Sequence, residues 1–134
     1  MFEFLEKRKV WLIYIPLCVY WLVLFTATSL PIDQLPSIGL SDKINHFIAF
    51  FILSVLLYLT LKFQRKNRFF FNKAYLVTIV ICLIYGALDE IHQMWIPGRY
   101  SEVLDWLADG LGAFAGLVVV TILINKLNYR TEFD

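Results

Sequence analysis

The amino-acid sequence predicts an all-α integral membrane protein with four transmembrane helices and both termini in the cytoplasm. Composition is the first observation behind this fold class, because a chain of 134 residues that is 60% hydrophobic and only 17% charged is too apolar for a soluble domain. The second observation is that four apolar runs recur along the chain, each near the length of about 20 helical residues that crosses a bilayer core. A single membrane domain over residues 1–134 is therefore expected.

The first and second apolar runs predict membrane helices directly. The first helix is expected at about residues 10–30, where no charged side chain occurs and Pro31 closes the run. The second is expected at about residues 42–62, with its ionisable residues near its two ends. The basic start of the first run is also typical of a signal peptide, but the apolar stretch is long and lacks a small-residue cleavage site, so we expect it to be retained.

The third and fourth helices, predicted at about residues 73–95 and 103–127, have shorter uncharged stretches. Each helix must therefore continue through its acidic residues to reach a spanning length. This draws four carboxylates toward the outer part of the bilayer: Asp89, Glu90, Asp105 and Asp109. Because ionisable groups at that depth are costly, they usually face the interior of a helix bundle or a wet cavity.

Positive charge predicts the orientation of these helices. Of the 12 lysines and arginines, only Lys43 and Arg99 fall on the side of the membrane opposite the chain ends. Since basic residues accumulate in cytoplasmic loops, we expect the termini in the cytoplasm and the acidic residues on the outer side. The lipid bilayer is the expected partner. The formal net charge of +1 predicts no nucleic-acid partner, because phosphate backbones are bound by surplus lysine and arginine.

Polar side chains at the start of the second helix form the first part of a candidate site. Asp42 and His46 are four residues apart and therefore share one face of a helix, with Lys43 beside them. Helix capping by Ser41, together with a carboxylate that holds an imidazole, explains the pattern equally well. This segment alone does not separate a structural role from a functional one.

The end of the third helix adds a second group. Gly86, Asp89 and Gln93 fall on one stripe of the helix, with Glu90 beside it. A Pro-Gly pair then turns the chain back toward the membrane, which is expected to bring Arg99 near the carboxylates. There Arg99 would either contact a ligand or neutralise Asp89 or Glu90 and fix the hairpin.

The fourth helix carries two carboxylates and two glycines on a single stripe: Asp105, Asp109, Gly112 and Gly116. The two glycines form a small-xxx-small motif, which lets a neighbouring helix approach closely. Such an approach would press both carboxylates into a helix interface. The Gly112/Gly116 stripe is also a candidate surface for a homo-oligomer.

Together the three helix ends deliver ionisable side chains to one level of the membrane, and we expect a polar cleft at the outer face in preference to passive salt bridging. No cofactor is predicted. A divalent metal is the alternative, because nitrogen and oxygen donors of this kind bind such ions. The candidate ligands are His46, Asp89, Glu90 and Asp105.

The ordered combination of these motifs resembles the VanZ-like family, which is named for a protein associated with resistance to the glycopeptide teicoplanin. The matching positions are Asp42, Lys43, His46, Phe50, Asp89, Glu90, Gln93, Pro97, Gly98, Arg99, Asp105, Gly112 and Gly116. The resemblance covers about residues 29–120 and implies a multi-pass protein of the bacterial cytoplasmic membrane whose polar site faces the cell envelope. One position departs from the pattern, since the family usually has asparagine where this chain has Asp109.

Three functions fit these observations. The first is binding of a polar or anionic ligand by Arg99 and Lys43, with the resemblance implying a cell-wall precursor, a lipid head group or a glycopeptide and a link to teicoplanin resistance. The second is an intramembrane hydrolase or transferase that uses a metal or acid–base route on a lipid-linked substrate. The third is a small proton-coupled transporter. Enzymatic activity stays open, because no serine or cysteine stands in a nucleophile motif and no catalytic residue is assigned.

Overall fold

The computed structural model describes residues 2–34, 41–64 and 66–126, and all regular elements in these segments are helices. A short helix α1 (Phe2–Lys7) precedes a π-helical turn (Val10–Tyr14) that continues into α2 (Ile15–Ser29), and a 3-10 turn (Ile32–Gln34) follows. The remaining helices are α3 (Asp42–Phe63), the short α4 (Arg68–Asn72), α5 (Ala74–Gln93) and α6 (Val103–Lys126).

Four helices are long and apolar enough to cross a membrane: Val10–Ser29, Asp42–Phe63, Ala74–Gln93 and Val103–Lys126. The prediction of an all-α chain with four spans is therefore confirmed. The predicted end of the fourth helix at residue 127 lies just outside the described residues. The cytoplasmic location of the termini stays a prediction.

The first span begins with a π-helical turn because of Pro16, which follows it at the start of α2. Proline has no backbone N–H, so the regular hydrogen bond from that position is missing. A wider turn of the helix before the proline is a common adjustment to such a loss. The span continues past this point without a break.

The bundle has apolar side chains on its outer surface and polar side chains inside. Leu22, Leu88 and Leu111 are each more than half exposed, whereas Ser54 and Thr78 are fully buried. This is the reverse of the arrangement in a water-soluble domain and is expected for helices surrounded by lipid.

The helix α3 lies at the centre of the bundle and contacts the other three spans. Its buried residues Phe50, Leu53 and Leu57 form the main apolar core together with Leu17 of α2, Cys82 of α5 and Ala113 of α6. A second apolar cluster toward the other end contains Tyr58, Ala74, Leu117, Val120 and Ile124. Among the described residues, the buried carboxylates and the buried histidine all lie at one end of the bundle, beyond these two clusters.

The opposite end holds the basic connector between α3 and α5. Asn67 caps α4 by accepting a hydrogen bond from Phe69 N at 2.9 Å, and Lys62 Nζ lies 4.4 Å from the centre of the Phe71 ring. Lys9 Nζ donates to Phe63 O at 3.0 Å, which attaches the start of the first span to the end of α3. Within the described segments this end therefore carries most of the positive charge, and the other end carries the candidate site.

Candidate functional site

The site lies where four helix ends meet: the C-terminal ends of α2 and α5 and the N-terminal ends of α3 and α6. Arg99, in the loop between α5 and α6, donates from Nη2 to Ala27 O at 2.9 Å and from Nε to Leu30 O at 3.3 Å. The last carbonyls of a helix lack partners within it and carry partial negative charge. A hydrogen bond of 3.0 Å between Ser29 Oγ and His92 Nε2 joins the same region of α2 to α5.

Close packing of α6 on α3 positions the most deeply buried ionisable pair. A Cβ at Gly112 would overlap the carbonyl group of Phe47, and a Cβ at Gly116 would also meet the backbone of α3, so the two helices touch where glycine alone fits. Asp109 lies about one turn of α6 before Gly112, and its Oδ1 accepts a hydrogen bond of 2.9 Å from His46 Nδ1. The glycine stripe thus fixes the distance between this histidine and this carboxylate.

Gly86 provides the space for Asp109 on the side of α5. A Cβ at Gly86 would lie 2.7 Å from Asp109 Oδ2, which is too short for any real side chain. Asp109 is therefore enclosed between α3 and α5 and is fully buried. Its Oδ2 has no hydrogen-bond partner among the described residues.

Lys43 and Glu102 form the rim of the site. Lys43 Nζ donates to Glu102 Oε2 at 2.8 Å and lies 3.2 Å from Asp105 Oδ1. The side chains of Lys43 and Glu102 are about half exposed, whereas that of Asp105 is buried. The contact with Asp105 is an ion pair without hydrogen-bond geometry at Oδ1, so Lys43 neutralises this carboxylate from the outside.

Two carboxylates of α5 are held by polar groups of the protein. Gln93 Nε2 donates to Asp89 Oδ2 at 2.9 Å, and the backbone N–H of Glu102 donates to Glu90 Oε2 at 2.7 Å. Asp89 and Glu90 are each 5% exposed. The second oxygen of Glu90, Oε1, has no partner in the described part of the chain.

A cavity of about 250 Å³ lies between α2, α3 and α5, beside these carboxylates. The polar residues of its lining are Thr28, Asp42, Asn45, His46, Tyr85, Asp89 and Arg99, and the apolar ones are Leu24, Ala27, Ala49 and Phe50. Asn45 Oδ1 is buried without a protein partner in the described residues. Because buried polar atoms normally have a partner, this atom is available to water or to a ligand.

The predicted site residues all lie at this end of the bundle, but they divide into two groups. Asp42, His46, Asp89 and Arg99 line the cavity. Lys43, Glu90, Gln93, Asp105 and Asp109 lie outside its wall and form the rim and the buried cluster next to it. His46 belongs to both groups, because it lines the cavity and bonds to Asp109.

Several expected contacts differ from those in the structure. His46 is held by Asp109 and not by Asp42, which is exposed; the helix contact that brings Asp109 there joins residues far apart in the sequence. Arg99 binds carbonyls of α2, and within the described segments it forms no ion pair with Asp89 or Glu90. The loop that carries Arg99 places its guanidinium group at the C-terminal end of α2.

The Gly112/Gly116 stripe is occupied within the chain. Both glycines face the backbone of α3, so the stripe retains no surface for a second copy. The close helix approach predicted from this motif is present, but it is intramolecular.

Residues of the first span were absent from the predicted site. Leu24, Ala27 and Thr28 line the cavity, yet the span that carries them contains no charged residue and so gave no chemical signal. The cavity lining also includes Tyr85, which lies four residues before Asp89 and therefore on the same helix face. This spacing from Asp89 could have indicated from the sequence that Tyr85 belongs to the site.

Two groups of side chains have metal-ligand geometry among the described residues. The first contains His46, Glu90 and Asp109, all buried, and the second contains Asp42, His46 and Asp105. In each group the ligand atoms lie within 4.8 Å of one another. Asp89, one of the predicted ligands, belongs to neither group.

A family model described as VanZ/LLP1 matches residues 5–124. The chain belongs to the VanZ/LLP1 family. The match covers the first three spans, nearly all of the fourth, and every residue of the site. Asp109, where asparagine is usual in the resemblance noted from the sequence, occupies the most buried position of the cluster.

A relative of this VanZ/LLP1 protein occurs in the fission yeast Schizosaccharomyces pombe. It is an uncharacterized protein that is 29% identical over 125 residues, which cover 92% of this chain and 69% of the relative. No solved structure matches the chain. Because a yeast protein shares nearly the full length of the domain, family membership alone does not assign the chain to a bacterial membrane.

Proposed function

We propose that this VanZ/LLP1 protein binds the polar head group of an amphiphile in the cavity between α2, α3 and α5. The observation that carries the proposal is a cavity at one end of a membrane bundle whose lining combines an arginine, two carboxylates and a histidine with apolar side chains. Binding sites of this kind combine an apolar surface with a few convergent polar groups. A lipid or lipid-linked molecule has both kinds of surface.

Arg99 is the anion-binding residue of this proposal. A guanidinium group has five N–H donors, of which the bonds to Ala27 O and Leu30 O use two. The remaining donors suit a phosphate or carboxylate, which arginine binds in a bidentate manner. Lys43 is less suited to this role than the sequence indicated, because Glu102 and Asp105 already neutralise it.

The charge of the cavity wall favours a zwitterionic head group over an anionic one. Asp42 and Asp89 line the same cavity as Arg99, so a purely anionic ligand would face two carboxylates. A phosphate at Arg99 with an ammonium or hydroxyl group at Asp89 would satisfy both signs of charge. This sharpens the expectation of a polar or anionic ligand.

The size of the cavity limits what it can enclose. Its volume is about 250 Å³, whereas the pockets that bind drug-sized ligands have volumes of about 300 to 1,000 Å³. A lipid head group fits, whereas a whole glycopeptide does not. A role in teicoplanin resistance would therefore act through a head group or through one part of the glycopeptide.

Binding to the purified protein in detergent tests this proposal. The probes are glycerophosphoethanolamine, glycerophosphoglycerol and teicoplanin, each titrated separately by calorimetry. We expect the zwitterionic head group to bind more tightly than the anionic one. We also expect Arg99→Gln to weaken its binding about 10- to 100-fold, because a hydrogen bond to a charged group contributes about 1.5 to 3 kcal/mol.

Lys43→Gln is the matched control, since Lys43 is a nearby cation outside the cavity wall. Equal loss of affinity in Arg99→Gln and Lys43→Gln would contradict the proposed contact. Tighter binding of the anionic probe would contradict the role given to Asp89. Teicoplanin binding that is insensitive to Arg99 would separate any resistance function from this cavity.

Hydrolysis or transfer on a lipid-linked substrate is the second candidate, and one observation favours it. His46 lines the cavity, and its Nδ1 donates to the buried Asp109; this bond fixes the imidazole with Nε2 as the free acceptor. A histidine oriented by a carboxylate is a common general base. Release of a head group from phospholipid vesicles by the wild type, lost in His46→Gln and kept in His92→Gln, would establish this activity, and no release by the wild type would exclude it.

A further inference from the structure

We infer that His46, Glu90 and Asp109 form a binding site for one divalent transition-metal ion, such as Zn²⁺ or Mn²⁺. This site lies behind the cavity wall and is distinct from the head-group contacts of Arg99. It is also a different ligand set from the one expected from the sequence, because Asp109 takes part and Asp89 does not.

The geometry of the three side chains is the first argument. One ligand atom from each residue lies within 4.8 Å of the other two. Because bonds from Zn²⁺ to nitrogen and oxygen are about 2.0 to 2.2 Å long, the three side chains can bind one ion once the more distant ligand atoms move toward it. One imidazole with two carboxylates is a donor set that such ions accept.

Unpartnered oxygen atoms are the second and independent argument. Glu90 Oε1 and Asp109 Oδ2 have no hydrogen-bond partner among the described residues, although both side chains are at least nine-tenths buried. A buried carboxylate oxygen without a partner costs free energy. A cation bound by these oxygens removes that cost.

The local charge balance points the same way. Four carboxylates are at most 5% exposed at this end of the bundle: Asp89, Glu90, Asp105 and Asp109. Lys43 neutralises Asp105, whereas the bonds described for Arg99 go to backbone carbonyls. Protonated His46 would balance only Asp109, so the cluster retains negative charge that a divalent cation would offset.

The second group of potential metal ligands, Asp42, His46 and Asp105, is less suited to bind a cation. Asp42 is exposed, and Asp105 already faces Lys43 at 3.2 Å. Since both groups share His46, the imidazole can serve only one of them fully. In the favoured group the ion takes the place of the proton between His46 and Asp109, and that proton leaves to solvent.

His46 connects the two sites, because it lines the cavity and belongs to the ligand group. The inference nevertheless does not depend on head-group binding. Arg99→Gln is expected to weaken the head group and leave the metal affinity unchanged. The two proposals can therefore fail separately.

Metal binding to the purified full chain, with any affinity tag removed, tests the site. Zn²⁺ and Mn²⁺ are added separately, and bound metal is measured by elemental analysis and by competition with a chromophoric chelator. We expect about one ion per chain. Glu90→Gln and Asp109→Asn should weaken binding at least about tenfold, because loss of even an outer-shell partner costs about 10- to 100-fold.

Asp105→Asn and His92→Gln are the matched controls, because Asp105 is an adjacent buried carboxylate outside the favoured group and His92 is the second histidine of the chain. Both are expected to bind like the wild type. Weaker binding in Asp105→Asn with unchanged binding in Glu90→Gln would overturn the assignment in favour of the exposed group. Absence of a bound ion in the wild type would overturn the site altogether.

A measurement on the unmodified protein covers the case in which a variant does not fold. Cu²⁺ added to the wild type is examined by pulsed electron paramagnetic resonance, which detects the nitrogen of a coordinating imidazole. We expect coupling to one imidazole, retained in His92→Gln. A spectrum without imidazole coupling in the wild type would contradict the site.

Discussion

The two sides of α3 at the site are built in different ways. On one side, α6 packs backbone to backbone through Gly112 and Gly116 and fixes the pair His46–Asp109. On the other side, α2 is attached by single side-chain bonds, such as that from Tyr20 Oη to Ala49 O at 2.9 Å, and a cavity remains between the helices. Close packing thus positions the buried ionisable groups, whereas looser packing leaves space for a ligand.

The comparison predicts its largest effect at the glycine contact. Gly112→Ala places a Cβ on the carbonyl group of Phe47, which is backbone and cannot move aside. Overpacking of this kind costs about 3 kcal/mol, so we expect a loss of that size in the free energy of unfolding, measured by denaturant titration in micelles.

Gly110→Ala is the matched control in the same helix. Its added Cβ would lie 3.2 Å from Leu83 Cδ2, the end of a flexible side chain that can rotate away. Alanine also favours helix over glycine by up to about 1 kcal/mol, so stability should change by less than about 1 kcal/mol. Similar losses in the two variants would show that the contact between α3 and α6 is not special.

The second effect concerns the buried pair that this contact positions. Asp109→Ala leaves the N–H of His46 without its acceptor, which costs about 1 to 3 kcal/mol. Asp109→Asn keeps an acceptor oxygen in place and should lose less than about 1 kcal/mol. Thermal unfolding measures the stability of both variants. A larger loss of stability in Asp109→Asn than in Asp109→Ala would contradict the hydrogen bond between His46 and Asp109.

The third effect tests the looser side of the comparison. Arg99→Gln removes the bonds to Ala27 O and Leu30 O and should cost about 1 kcal/mol. The change should be local, because these bonds attach only the end of α2. Hydrogen exchange is expected to rise at the C-terminal end of α2 and to stay constant in α6; faster exchange in both helices would argue against separate attachment.

The smallest effect is expected at the rim. Lys43→Gln breaks a pair whose side chains are 45% and 51% exposed, and exposed ion pairs contribute little to stability. Asp105 loses its counter-charge as well. Because Lys43 is about half exposed, water can take the place of its ammonium group beside Asp105. The free energy of unfolding should depend less on salt concentration in the variant than in the wild type. An unchanged salt dependence would show that the pair does not contribute to the stability of the fold.

The fold was predictable from the sequence because membrane helices are determined by local composition. Uninterrupted apolar length predicts each span, and the shortness of the third and fourth apolar runs indicated that their carboxylates lie within the bundle. Asp89, Glu90, Asp105 and Asp109 are indeed buried. This part of the argument requires no knowledge of which helices touch.

The pairing of side chains was not predictable, because it depends on contacts between distant parts of the chain. Asp42 and His46 share a helix face, yet Asp109 reaches His46 through the approach of α6 at Gly112. Arg99 similarly finds the end of α2, which lies 69 to 72 residues earlier in the chain. Spacing within one helix cannot reveal such partners.

The central claim is that the cavity inside the bundle is open to water, and cysteine accessibility tests it most directly. In a chain with Cys18 and Cys82 replaced by alanine, Ala49→Cys puts a thiol on the cavity wall, whereas Ile48→Cys puts one on the exposed apolar surface at the same level. A charged, membrane-impermeant thiol reagent added on the side opposite the chain termini should modify Ala49→Cys and leave Ile48→Cys unmodified, with protection by glycerophosphoethanolamine. Modification of Ile48→Cys alone, or of neither variant, would contradict a water-accessible cavity inside the bundle.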